Sequence, residues 1–207
     1  MIPPRRLAVL LALMALAFPA VAQPRQTLPS TKPQAAMPVP ADIPGPACLP
    51  SHRQVFTDAV ATARRHVTAA LVVLRDQPDH PEVQRWFGNA PRDEVRGRLK
   101  MVAAWFIEQQ VQRLECNDPP ACKDSRMAYA AAGRGLLGLC PAFFRASLTG
   151  FDSRWGILVH EVSHLVAGTR DHAYGRRAAL ALATNEPGRA AENADNYEYF
   201  VETLASR

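Results

Sequence analysis

The chain has 207 residues, 21% of them charged and 48% hydrophobic, with a formal net charge of +5. That length suits one domain with a sizeable core, and the mild charge, with no basic run interleaved with aromatics, excludes an evident nucleic-acid binder. Four cysteines, an even number, point to two disulfides and an oxidising compartment.

At the start, Arg5 and Arg6 precede the apolar run Leu7 to Phe18, and Ala20-Val21-Ala22 supplies the small residues of a cleavage site. Residues 1–22 therefore read as a secretory signal peptide. The apolar run falls short of the roughly 20 residues that span a bilayer, so no stable membrane insertion is expected. Cleavage after Ala22 leaves 185 of the 207 residues, lowers the charge to +3 and predicts a secreted or periplasmic protein. Eight prolines between Gln23 and Pro50 make residues 23–47 an expected disordered linker ahead of a folded domain at 48–207.

Helical spacing of Val55, Ala59, Val60, Ala63, Val67, Ala70, Leu71 and Leu74 predicts an amphipathic helix from Ser51 to Arg75, with His52 and His66 on its polar margin. A short helical piece follows Pro81 and ends at Trp86-Phe87-Gly88. A long helix is expected from Arg92 to Leu114, with Val95, Leu99, Val102, Ala103, Phe106, Ile107 and Val111 inward. Arg126 to Ala130 and Leu136 to Leu139, separated by Gly133 and Gly135, read as a small antiparallel sheet whose edge lines a cleft. Asp152 or Ser153 starts a further helix, Gly175 to Ala183 forms another, and a final helix runs from Pro187 to Leu204. The fold class expected is helix-rich α+β.

The helix after Ser153 carries His160-Glu161-Val162-Ser163-His164. Four residues apart on a helix, the two imidazoles project from one face a turn apart, as two corners of a tetrahedral zinc site require. Glu161 is turned aside, where its carboxylate can act as a general base toward a metal-activated water. Gly168 can stop the helix in the left-handed conformation, and the chain can then return across the histidines. Asp171 lies within easy reach and is a normal third zinc ligand. Glu192, on the last helix, and His172, beside Asp171, are rival third ligands.

His160 to His164 followed by Gly168, Thr169, Asp171, Tyr174 and Gly175 resembles the deuterolysin-like, or aspzincin, metallopeptidases, whose pattern is HExxH and then Gly-Thr-x-Asp-x-x-Tyr-Gly. The likeness runs from about Cys48 to Phe200, and the spacer between His164 and Gly168 is shorter than in the fungal members. It implies a zincin-like domain in which His160, His164 and Asp171 hold one Zn²⁺ per chain. It also implies Glu161 as base and Tyr174 as stabiliser of the oxyanion. Four cysteines allow three pairings, and spacing alone does not choose. The resemblance implies Cys48 with Cys116 and Cys122 with Cys140. It also assigns Asp195 and Glu198, an Asp-x-x-Glu pair like that of the peptidyl-Lys metalloendopeptidases, to a pocket for the substrate lysine after the scissile bond.

The expected activity is that of a monomeric zinc metalloendopeptidase acting on polypeptides. Two other readings are a secreted zinc-binding module without catalysis and an envelope peptidase acting on peptidoglycan stem peptides. An open fourth coordination position separates the enzyme from the structural module.

Overall fold

The computed structural model describes residues 47–108 and 111–206. The expected signal peptide, and the linker up to Pro46, lie outside the described residues.

Helix α1 (Pro50–Asp76) opens on a proline, whose preset φ and missing N–H suit a helix's first turn. Its buried stripe is Ala59, Val60, Ala63, Val67, Ala70 and Leu74, as the periodicity predicts. Helix α2 (Pro81–Phe87) also starts on proline, and the His80 side chain accepts a hydrogen bond from the Glu82 N–H at 3.2 Å. Helix α3 (Arg92–Glu108) has Asp93 and Glu94 in its first turn, favourable at the positive end of the helix dipole.

The predicted helix to Leu114 is too long. Residues Arg113–Cys116 form strand β1 instead, paired in parallel with β3 (Leu136–Leu139), Leu114 opposite Leu137. Val111 and Leu114 sit at a spacing that fits a helix as well as a chain end. The ladder with β3 and the bond from Cys116 to Cys48 favour the strand. Ile107, expected inside, is 57% exposed.

Strand β2 (Ala128–Ala131) pairs antiparallel with β3, so the sheet has the order β1-β3-β2 and is mixed rather than antiparallel. Gly138 lies opposite Tyr129, and a Cβ there would meet the Tyr129 ring at 2.0 Å, so only glycine lets that ring lie across the sheet. One edge of β2 has no strand beside it among the described residues. The disulfides are Cys48–Cys116 and Cys122–Cys140, the pairing the resemblance implies.

Helix α4 (Arg154–Ala167) packs against α1, α3 and β2, and against the last helix. Ser153 caps it, its Oγ accepting from the Gly156 N–H at 3.0 Å, and Gly168 ends it at φ 64°. Helix α5 (Arg176–Asn185) follows Gly175.

The predicted final helix is two, α6 (Pro187–Ala190) and α7 (Ala194–Ala205). The break has a cause: Arg170 N–H donates to Glu192 O at 2.7 Å, and Ala194 N–H donates to Arg170 O at 3.0 Å. A helix running straight through would have used those groups itself. Trp86, Phe87, Phe106, Phe143, Tyr197, Tyr199 and Phe200 fill the core, each worth roughly 1.5–3 kcal/mol of burial. No helix among the described residues is long and apolar enough to cross a membrane.

Candidate metal centre

His160 and His164 project from one face of α4, and their Nε2 atoms lie 3.1 Å apart. Asp171 Oδ1 is 3.1 Å from each of them. The other nitrogen of each ring is already committed. His160 Nδ1 donates to Asp195 Oδ1 at 2.7 Å, and His164 Nδ1 donates to the Thr169 carbonyl at 2.9 Å. With both Nδ1 atoms protonated, neutral rings turn bare Nε2 lone pairs toward each other and toward a carboxylate oxygen. Three acceptors meeting in this way repel unless a cation lies among them. A tetrahedral ion with bonds of 2.0–2.1 Å spaces its ligands about 3.3 Å apart, so the triangle fits zinc in both size and donor type.

The charge balance agrees. Burial disfavours a charged His160, but bonds to Asp171, Asp195 and Glu198 outweigh it and raise its pKa well above the ordinary value. His164 is raised too, with burial opposing and Asp171 prevailing. The cluster thus attracts positive charge, whether proton or metal ion.

Local structure delivers Asp171, the candidate third ligand. From Gly168 the chain turns back, and the Thr169 hydroxyl shares a 2.6 Å hydrogen bond with Ser163, whose Oγ donates to the His160 carbonyl at 2.6 Å. Arg170 is clamped between Glu192 and Ala194. Asn193, fully buried, accepts from the N–H groups of His172 and Ala173 at 2.8 and 3.0 Å and donates to Ala173 O at 3.1 Å. The loop bearing Asp171 is therefore held onto the start of α7.

His160, His164 and Asp171 line a cavity of about 740 Å³ with Glu161, Tyr174, Asp195, Glu198, Ala128, Tyr129 and Ala130. Glu161 is buried, with a carboxylate oxygen within 4.8 Å of donor atoms on both histidines. Burial raises its pKa, and the positive charge of the histidines and of Arg126 partly offsets this. Tyr174 is 67% exposed and donates to Asp171 Oδ2 at 2.6 Å. Desolvation and that bond push its phenol up to about 12, so it keeps its proton at neutral pH. Asp195 and Glu198 are buried side by side on α7, the latter with Oε2 3.4 Å from His160 Nδ1. Glu198 Oε1 is buried with no hydrogen-bond partner among the described residues.

The family model described as lysine-specific metallo-endopeptidase, the aspzincins, matches residues 73–202. The chain belongs to this aspzincin family. It is 53% identical over 162 residues to a peptidyl-Lys metalloendopeptidase of Armillaria mellea, covering 75% of this chain and 45% of that protein. It is 49% identical over 166 residues to one of Pleurotus ostreatus, covering 75% of this chain and 94% of that one. The chain spans about half the length of several curated relatives it matches. Its fold superimposes on a zinc peptidase from Grifola frondosa with a TM-score of 0.68 and 33% identity, over 77% of this chain and 99% of that one.

Within this aspzincin frame the rival third ligands turn elsewhere. Glu192 lies 3.6 Å from Arg98 Nη2, and His172 Nε2 lies 3.4 Å from Glu192. Asp171 alone of the three candidates reaches both histidines. His52 and His66 are half-buried rather than on the surface, packed on the rings of Phe144 and Trp155. Sequence reasoning did not find Thr169 and Asn193 as supports of the site. A buried asparagine at a helix start was the available signal, and its meaning depends on a loop some twenty residues earlier.

Proposed function

We propose that this aspzincin is an exported zinc endopeptidase that cleaves polypeptides on the amino side of lysine. The observation that carries the first part is the triangle of His160 Nε2, His164 Nε2 and Asp171 Oδ1, whose three edges are each 3.1 Å. These residues would hold the ion, which when bound supplies a Lewis acid that polarises the scissile carbonyl and acidifies water toward pKa ~7. Glu161 takes the proton of the attacking water as the new C–O bond forms. Its burial-raised pKa suits a group that must then pass that proton to the departing amine nitrogen as the C–N bond breaks. Tyr174 keeps its proton, and its single O–H, donated to Asp171 Oδ2 in this structure, turns to the oxyanion as that charge develops.

The lysine preference is supported by Asp195 and Glu198, two buried carboxylates on the cavity wall, one bearing a buried oxygen without a partner among the described residues. A compact ammonium with three rotatable donors would satisfy that oxygen, whereas arginine presents its donors in a rigid planar fork. Export is supported by the charged, apolar and small-residue regions of residues 1–22 and by the two disulfides. The test is to incubate the purified protein with unfolded casein and with a mixed peptide library, with and without chelator, and to sequence the products. Chelator-sensitive cuts before lysine are expected. Zinc binding without any cleavage would leave a binding module, and cuts without lysine preference would leave a broader peptidase.

A further inference from the structure

The cavity is charged asymmetrically. Its inner wall carries Asp152, Glu161, Asp171, Asp195 and Glu198, whereas Lys123 and Arg126 are its only lysine or arginine side chains among the described residues. Both are exposed and sit on the segment leading into β2, with Asp124 the one carboxylate between them. Neither forms an ion pair with a described carboxylate. Their positions are held: Arg126 Nη1 donates to Ala121 O at 3.0 Å, Arg126 N–H donates to Lys123 O at 3.0 Å, and Cys122 is bonded to Cys140.

Direction follows from the sheet. The free edge of β2 lines the cavity through Ala128, Tyr129 and Ala130. An extended peptide laid along it pairs more favourably antiparallel than parallel. Its chain then runs from the Ala130 end toward Ala128 and leaves past Arg126 and Lys123, two to five positions further along. The part of the substrate that meets the basic pair is therefore the carboxyl side of the cleaved bond, beyond the residue read by Asp195 and Glu198.

We propose that Lys123 and Arg126 form a subsite for an acidic side chain, aspartate or glutamate, two or three residues after the scissile bond. This rests on the peptidase reading of the same cleft. It makes the cleft select a pattern of opposite charges: a lysine held by the inner carboxylates, then a carboxylate held at the basic rim. An exposed pair of this kind is worth roughly 1.5- to 5-fold in kcat/KM and is weakened by salt.

The test uses three peptides that differ only at the first and second residues after the target lysine, with glutamate, glutamine or lysine there. Their kcat/KM is measured at low and high ionic strength, and their Kd is measured on the E161Q variant loaded with zinc. Glutamate should lead glutamine by roughly 1.5- to 5-fold in both readouts, and lysine should trail. The lead should shrink in high salt and fall to near one in K123Q/R126Q. Cleavage with no glutamate advantage, or an advantage that survives in the double variant, would each overturn the subsite while leaving the peptidase reading standing. No cleavage of any peptide by the zinc-loaded protein would overturn the peptidase reading and the subsite with it.

Discussion

His160 Nδ1 donates to Asp195 Oδ1 across the gap between α4 and α7 at 2.7 Å, which joins the candidate metal ligand to the wall of the proposed lysine pocket. The bond fixes the ring's tautomer and aims Nε2 at Asp171, so one carboxylate serves both the ion and the proposed lysine site. On the proposed reading, metal affinity and substrate choice are coupled through Asp195.

That coupling separates two neighbouring carboxylates. D195A should weaken zinc binding by about 10- to 100-fold, as loss of a ligand's supporting hydrogen bond does. E198Q should spare zinc much more, because Glu198 is the farther partner of His160 at 3.4 Å. E198Q should also reduce the advantage of lysine over neutral residues. Competition titrations with a zinc chelator, beside cleavage-site sequencing, read both effects. Equal losses of zinc affinity in the two variants would contradict the division of labour.

E161Q should abolish hydrolysis while keeping about one zinc per chain, because glutamine fills the same space and cannot take a proton. Y174F should lower kcat by about 10²-fold or more with little change in KM, as expected for a donor engaged mainly in the transition state. Metal analysis and steady-state kinetics on the same preparations suffice.

Zinc must displace protons from His160 and His164, whose pKa values are raised without the ion. Apparent zinc affinity should therefore still be increasing above pH 6.5, where ordinary histidines have already lost their protons. The sign for stability is the opposite in chelated protein. A raised folded pKa contributes stability fully present below the unfolded value near 6.5 and lost as pH rises through the folded value. Chelated protein should thus lose melting temperature as pH increases through and above neutrality, and added zinc should restore it. Calorimetry with and without chelator checks this.

Gly156 faces Glu202 at the start of α4. A Cβ at Gly156 would meet Glu202 Oε1 at 1.9 Å. That oxygen cannot simply swing away, since it accepts from Ser153 N–H at 2.9 Å and Ser153 Oγ at 2.7 Å in a buried setting. G156A should cost about 1–3 kcal/mol, and E202A a similar amount through the donors it strands. Denaturant titration of both variants is the measurement, and a neutral G156A would show that the carboxylate is free to move.

Local spacing alone determined much of this protein. A spacing of four positions from His160 to His164 places two rings on one face of any helix, Gly168 ends that helix because it tolerates φ 64°, and the stripe from Ala59 to Leu74 defines α1. These are properties of a few neighbouring residues and need no knowledge of the rest of the chain. The family motif added Asp171, and both disulfides followed the resemblance. Tertiary structure decided what depends on distant partners. Leu114 became a strand because β3 lies beside it, and the last helix broke at 191–193 because Arg170 takes its backbone groups. The link from Asp195 to His160, the clamp made by Asn193 and the buried bond from Glu202 to Ser153 join residues 20 to 49 positions apart. A polar residue's sequence neighbours do not reveal which remote donor will satisfy it once water is excluded, so those contacts were legible only in the folded chain.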